Sequence, residues 1–443
     1  MTATSTNTMK PGILRTAACV LLLLAPAGAH AELEIDITRG VSDPVPVAVV
    51  PFAHAAASDG APDVAAVVEH DLASSGRFKG LPRAAMPAQP QRAADVNAAA
   101  WHAAHADYVV VGRVAAGDGG TQVLHFDLVN ALTGQRLLND ESVTVPQKSW
   151  RRGAHRIADR IFEKITGVRG AFDTRIAYVA VDGTPPSQHF QLIVADADGE
   201  NAAVAARGSQ PIMSPAWSPD GEWLAYVSFE KGVSVVNVQR LSTGELRQVS
   251  ARAGVNGAPA FSPDGRRLAL TLSGTAGDTD VYVLDLATQQ LTRITDDPAI
   301  DTEPAWSPDG QMLYFTSDRG GAPQIYVAAP TAKARARRIS FGVAYAARPR
   351  VSPDGKQLAL VEEEGGASYI ATLDLASGNI TTLSHGNLDE SPSFAPNGAM
   401  LIYAGRDGGR GVLATVSVDG QVSSRLKSAQ GEVREPVWGP FTN

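Results

Sequence analysis

Four aspartates recur at nearly constant spacing: Asp220, Asp264, Asp309 and Asp354, at intervals of 44 or 45 residues. A ring of acids invites a cation-binding or acid–base reading. Each, however, lies in the same tetrapeptide, Ser-Pro-Asp-Gly. Pro presets φ near about −65°, Asp bonds its own backbone two residues on, and Gly tolerates a left-handed conformation, so the tetrapeptide specifies a tight hairpin turn. Asn397 stands in for Asp in the fifth copy, which keeps the turn chemistry and discards the charge. These acids are expected to build turns. The other candidates are weaker. His102 and His105 offer two metal ligands on an expected helix, but no third lies near them in sequence. Asp196-Ala197-Asp198-Gly199 looks like a piece of a calcium loop without EF-hand spacing, and it falls where a turn is due. The hydrolase pattern Gly-x-Ser-x-Gly, a phosphate-binding loop and His-Glu-x-x-His are all absent. No catalytic residue, metal or cofactor is assigned.

The elements that hold these turns repeat as a unit. Copies of Ser214–Ser228, SPAWSPDGEWLAYVS, begin near 258, 303, 348 and 391, and a sixth is shortened at 435–443. Their anchors are Trp217, Phe261, Trp306, Val351, Phe394 and Trp438, at intervals of 43 to 45 residues. That period, with strand-like content, is the mark of a propeller blade. A short strand precedes each turn and an alternating strand follows it. A third (such as Gln324–Ala328) and a fourth (such as 291–295) complete four strands per unit. RIAYVA (175–180) matches a second strand with no first strand before it, and the last copy is a first strand with no second. The C-terminal strand is expected to complete the blade begun at 175, leaving no open edge in the ring.

The 443 residues exceed one ordinary core, so a second unit is expected. Residues 1–31 read as an export signal: Lys10 and Arg15 precede an apolar run, and Ala29-His30-Ala31 suits a cleavage site. Cys19, the one cysteine, lies inside that segment. The remainder would carry 36 basic and 46 acidic residues, a net charge of −10, which disfavours nucleic acid and anionic membrane surfaces. Residues 32–45 form a strand and linker. Glu32-Leu33-Glu34-Ile35-Asp36-Ile37 alternates acid with apolar, and either lines the edge of the following domain or adds as a mobile strand to a partner's sheet. Residues 46–170 form an α/β domain, with helices at 63–73, 95–106 and 149–165 and three consecutive strands between 108 and 145. Residues 171–443 form the six-bladed all-β propeller.

Chemistry being absent, a surface remains. Each first strand is preceded by a segment ending at a proline: Pro215, Pro259, Pro304, Pro349, Pro392 and Pro436. These segments are expected on one rim, opposite the Ser-Pro-Asp-Gly turns. Equivalent loops of a repeat protein gather function on one face. The candidates there are Asn256, Gly257, Ala258, Asp301, Thr302, Glu303, Asp389 and Glu390.

Several segments resemble the TolB family: VAVVPF (47–52), DLASSGRF (71–78), DYVVVGRV (107–114), FEKITGVRGAFDTRIAYV (162–179), MSPAWSPDGEWLAYVSFE (213–230), DTEPAWSPDG (301–310) and the ending PVWGPF. The resemblance runs from Glu32 to the C-terminus. It implies a periplasmic, non-enzymatic adaptor of the Tol-Pal system that supports outer-membrane integrity and constriction at division. It further implies docking of the peptidoglycan-associated lipoprotein Pal on the propeller rim, with Ala258 and Thr302 in that contact, and TolA binding through Glu32–Ile37 and the residues up to Val41. Val255 stands where the family often has His. The alternatives from the residues themselves are an exported propeller hydrolase and a small-ligand binding protein.

Overall fold

The computed structural model describes residues 33–54, 62–273, 278–428 and 431–442, together with Met1. The export signal, with Cys19, and the site candidate Glu32 lie outside the described residues. Among those described, no helix is long and apolar enough to cross a membrane.

The α/β domain is a mixed sheet in the order 78–80, 45–49, 108–116, 121–130, 136–146. Three helices accompany it: α1 (Val64–Ser74), α2 (Ala98–Ala103) and α3 (Trp150–Thr166). The Asp63 carboxylate caps α1 by accepting from the Ala66 amide at 3.0 Å. On α3, Ile157 and Ile161 are fully buried beside Leu124, Phe126 and Leu128, each burial contributing roughly 1.5–3 kcal/mol. Gly167, at φ +77°, stops α3 in the left-handed conformation that glycine tolerates best. The expected helix at 95–106 is shorter than its alanine content suggests. Asn97 accepts from the Ala100 amide and fixes the start, and His105 at φ +65° ends the run early.

The rest of the chain forms six sheets, five of four strands and one of five. Blade one joins 175–182, 189–196 and 203–208 to the C-terminal strand 432–438; blades two to six span 212–250, 256–293, 301–338, 346–382 and 390–428. The first strand of every blade contacts the first strands of both neighbours, so these six surround the central channel. Closure is as expected: Trp438 pairs with Ile176 and Glu432 with Val181, antiparallel. Tryptophan anchors tie blade to blade. Trp217 Nε1 donates to the Val437 carbonyl at 3.2 Å and Trp306 Nε1 to that of Ala260 at 3.1 Å. The Arg267 guanidinium sits 4.6 Å over the Trp306 ring, a cation–π contact across the same seam.

The Ser-Pro-Asp-Gly aspartates are turn formers. In each copy the serine hydroxyl donates to the Asp, as Ser218 does to Asp220 at 2.5 Å, and an amide two residues on donates to the same oxygen. Asn397 accepts from the Ala399 amide in the same way.

Two expectations change. Residues 33–39 do form a strand, but it pairs antiparallel with 423–428 and becomes the fifth, outermost strand of blade six. It is an edge strand of the propeller and not of the α/β domain that follows it in sequence. The first strands also begin earlier than the proline turns suggest, at Ile212, Asn256, Asp301, Ala346, Glu390 and Glu432. The prolines therefore lie within strands.

Candidate partner-binding rim and channel

A proline inside a strand cannot donate to the ladder, so it is tolerated where the ladder is broken. Each first strand has such a break. Its pairing register shifts at the x-Pro step, with two residues facing one on the second strand. The residue before the proline takes positive φ in all six blades: Ser214, Ala258, Glu303, Arg348, Ser391 and Glu435, between +43° and +56°. The left-handed region is disfavoured for side chains other than glycine. The fold imposes it six times, and the result is a ring of re-aimed residues.

Four of these side chains meet across the channel. Arg348 Nε lies 3.1 Å from Glu303 Oε1, and its Nη1 donates to Ser391 Oγ at 2.5 Å. The same Nη1 lies 3.7 Å from Glu390 and 4.0 Å from Glu435. Glu435 in turn accepts from the Ser214 amide at 3.3 Å, and Glu303 accepts from the Arg348 amide at 3.0 Å. Burial disfavours the Arg348 charge, but Glu303, Glu435 and Glu390 together outweigh it and push the guanidinium above its ordinary value. Burial pushes the Glu435 carboxyl up, and Arg348 offsets only part of that.

The eight rim candidates divide by burial. Gly257, Ala258, Thr302, Glu303 and Glu390 are partly exposed. Asn256, Asp301 and Asp389 are almost fully buried, at 1%, 0% and 2% exposure, which is a correction to their place in a contact surface. Asn256 accepts from Ser250 Oγ at 2.6 Å and from the Arg252 amide at 2.9 Å. Asp301 pairs with Arg319 at 2.7 Å, and Asp389 accepts from the Gly386 amide at 3.0 Å. These three pin the starts of their strands, and burial raises the pKa of both acids.

What the sequence reading missed stands one residue earlier. Val255, Ile300 and Leu388 immediately precede those pinned residues and are 45%, 55% and 48% exposed. Phe341, before the first strand of blade five, and Met213, the second residue of blade two's first strand, are also exposed. The signal was present as an apolar residue followed by Asn or Asp at the blade period. This apolar, interrupted ring surrounds the channel mouth.

The opposite face is occupied. There the turn residue Asn397 of blade six donates to the Arg169 carbonyl at 2.8 Å, Asp419 pairs with Arg77 at 3.1 Å, and Asp198 of blade one pairs with Arg151 at 2.5 Å. The α/β domain thus rests on the turn face of blades six and one, and none of these contacts involves the apolar rim. On the outer edge of blade six, Thr38 Oγ1 lies 2.9 Å from Ser423 Oγ, and Ile37 is exposed. The backbone of Leu33–Ile37 runs beside Ser424–Ser428.

A closed propeller with a second domain on one face and an open, apolar-rimmed channel on the other defines a protein-binding scaffold. Comparison with known proteins gives the family. A profile described as "TolB beta propeller domain" matches residues 162–442, and one described as "TolB amino-terminal domain" matches 33–137. The chain is 47% identical over 433 residues to the Tol-Pal system protein TolB of Xanthomonas oryzae pv. oryzae (strain PXO99A), covering 97% of this chain and 98% of that one. The Xanthomonas campestris pv. campestris (strain B100) protein of the same name matches at the same identity and coverage. The crystal structure of TolB from Acinetobacter baumannii superimposes with a TM-score of 0.85 at 39% identity, over 92% of this chain and all of that one. The chain belongs to the TolB family, whose members are periplasmic, non-enzymatic components of the Tol-Pal system.

Proposed function

We propose that the protein is an exported adaptor that docks the peptidoglycan-associated lipoprotein Pal on its open rim and TolA through its N-terminal segment. In that role it serves outer-membrane integrity and invagination at division. The observation that carries this reading is the contrast between faces: the turn face supports the α/β domain, and the rim keeps Val255, Ile300 and Leu388 half exposed. Large apolar side chains clustered on a soluble surface mark protein contacts. Gly257, Ala258, Thr302, Glu303 and Glu390 lie within that ring, the last three supplying its polar side chains, with Asn256, Asp301 and Asp389 holding the strands behind them.

For TolA, the segment Glu32–Ile37 offers a strand. The backbone of Leu33–Ile37 is paired with 424–428, so adding to a partner's sheet requires that it first leave that edge. The test is a binding titration with purified Pal and TolA. Ala258→Glu and Thr302→Glu are expected to weaken Pal at least tenfold and leave TolA unchanged. Deletion of residues 32–41 is expected to abolish TolA binding in a folded propeller. Normal Pal binding by both rim variants would move the interface elsewhere.

A further inference from the structure

The turn Asp196–Gly199 follows the third strand of blade one, as the repeat predicts, yet its Asp198 is only 7% exposed. The cause is the α/β domain above it. Asp198 Oδ2 accepts from Arg151 Nη2 at 2.5 Å and lies 3.6 Å from Nε2 of His155, one turn further along α3. The other ring nitrogen of His155, Nδ1, lies 2.7 Å from Asp71 Oδ2 on α1. His155 and Asp71 are 2% and 1% exposed. Three separate elements, α1, α3 and a propeller turn, thus bring four ionisable side chains together at the domain junction, with atoms of Asp71, His155 and Asp198 all within 4.8 Å of one another.

Their order is Asp71, His155, Asp198, Arg151, so the charges alternate. Among the described residues His155 Nε2 has no hydrogen-bond partner and faces Asp198 only at ion-pair distance, and only with a doubly protonated imidazole do the four charges cancel. A buried carboxylate facing a neutral imidazole nitrogen would carry an uncompensated charge across a low-dielectric junction. A metal ion would compete with the guanidinium already on Asp198 Oδ2. We propose that these four residues form an ionic latch holding the α/β domain on the propeller, with the His155 imidazolium as its bolt.

The surrounding charges are consistent with this. Burial alone would lower the His155 pKa, but Asp71, then Asp198 and Asp196, raise it to about 9. Asp71 is raised above its ordinary value by burial, with His155 and His70 opposing. Asp196 is likewise raised by burial, with Asn201, His155 and Arg151 opposing. On α3 the neighbours are Arg151, Arg152 and Asp159; Asp173 and Arg175 approach from the domain linker and first propeller strand. A cleft of about 480 Å³ that includes His155, Asp196 and Arg175 gives protons a route to the site. Because the folded pKa exceeds the ordinary 6.5, the latch is complete below about 6.5 and is lost as pH rises through about 9.

The experiment is an NMR titration of the histidine rings in the purified protein, with both domains present and His155→Gln used for assignment. His155 is expected to titrate near 9. Asp198→Asn is expected to lower that midpoint, and Arg151→Gln to raise it. A second measurement places spin labels at Thr133→Cys and Thr243→Cys in a Cys19→Ser background. The interdomain distance distribution is expected to be narrow at pH 7.5, broad at pH 10, and already broad at pH 7.5 with His155→Gln. If that variant does not fold, Asp198→Asn serves in the same measurement. A neutral His155 at pH 7, a midpoint indifferent to both variants, or an unbroadened distribution overturns the proposal. One zinc ion per chain, lost on Asp71→Asn, overturns it in favour of a metal site.

Discussion

The two faces of the propeller are built from the same repeat and treated oppositely. On the turn face, polar residues of blades six and one are consumed by the α/β domain: Asn397 by Arg169, Asp419 by Arg77, Asp198 by Arg151 and His155. On the rim face, the polar residues at strand starts are consumed internally, and apolar residues beside them are left in solvent. One face has its partner within the chain. The other displays what a separate partner would cover. Buried charge needs a fixed counter-charge, which an intramolecular contact supplies permanently, whereas an apolar patch tolerates both bound and unbound states.

The sharpest way to break this contrast is at the junction. Asp71→Ala leaves His155 and Arg151 facing one carboxylate, and removing one partner of a buried pair is expected to cost about 3–5 kcal/mol, read as a lower midpoint in chemical denaturation. Within the channel, Arg348→Ala leaves Glu303 and Glu435 together without their shared cation, with an expected cost of roughly 2 kcal/mol by the same measurement. Third comes pH. Burial holds the Asp159 carboxyl up at about 6, against two amide donors, Phe172 and Asp173, that oppose it. Between the ordinary 3.8 and about 6 the folded state binds more protons than the unfolded, so this group makes stability fall as pH rises across that window and then level off. Asp159→Asn is expected to flatten that segment of the stability–pH curve. Smallest in stability is the rim: Ile300→Ser and Leu388→Ser are expected to stay within about 0.5 kcal/mol of the parent while weakening Pal about tenfold. A large stability loss in these variants would dissolve the distinction between the faces.

Much of the architecture was legible because it is periodic. The anchors from Trp217 to Trp438, the turn chemistry at Asp220 and its equivalents, and the unpaired strand at each end are local signals repeated six times, and the closed ring follows from them. Which of the rim candidates are exposed was not legible. Asn256, Asp301 and Asp389 look like polar rim residues in sequence, yet they are buried. The bulge before each proline turns the chain so that the next residues face the channel, and the residue one position earlier faces solvent. Periodicity of two predicts alternation along a strand and has no term for that extra residue.

By itself, then, the sequence determined the number of blades and their turns, which depend on contacts within about one repeat, and the closing strand, because an unpaired strand is legible at each end of the propeller. Only the tertiary structure decided that residues 33–39 extend blade six, that Arg348 gathers three carboxylates from different blades, and that Asp198, by sequence an ordinary turn aspartate, meets His155 and Asp71. These partners lie from 42 to nearly 400 residues apart, and such pairings are set by how rigid blades close around an axis and which turns then face the second domain. No local propensity encodes those pairings; they emerge when the ring is complete.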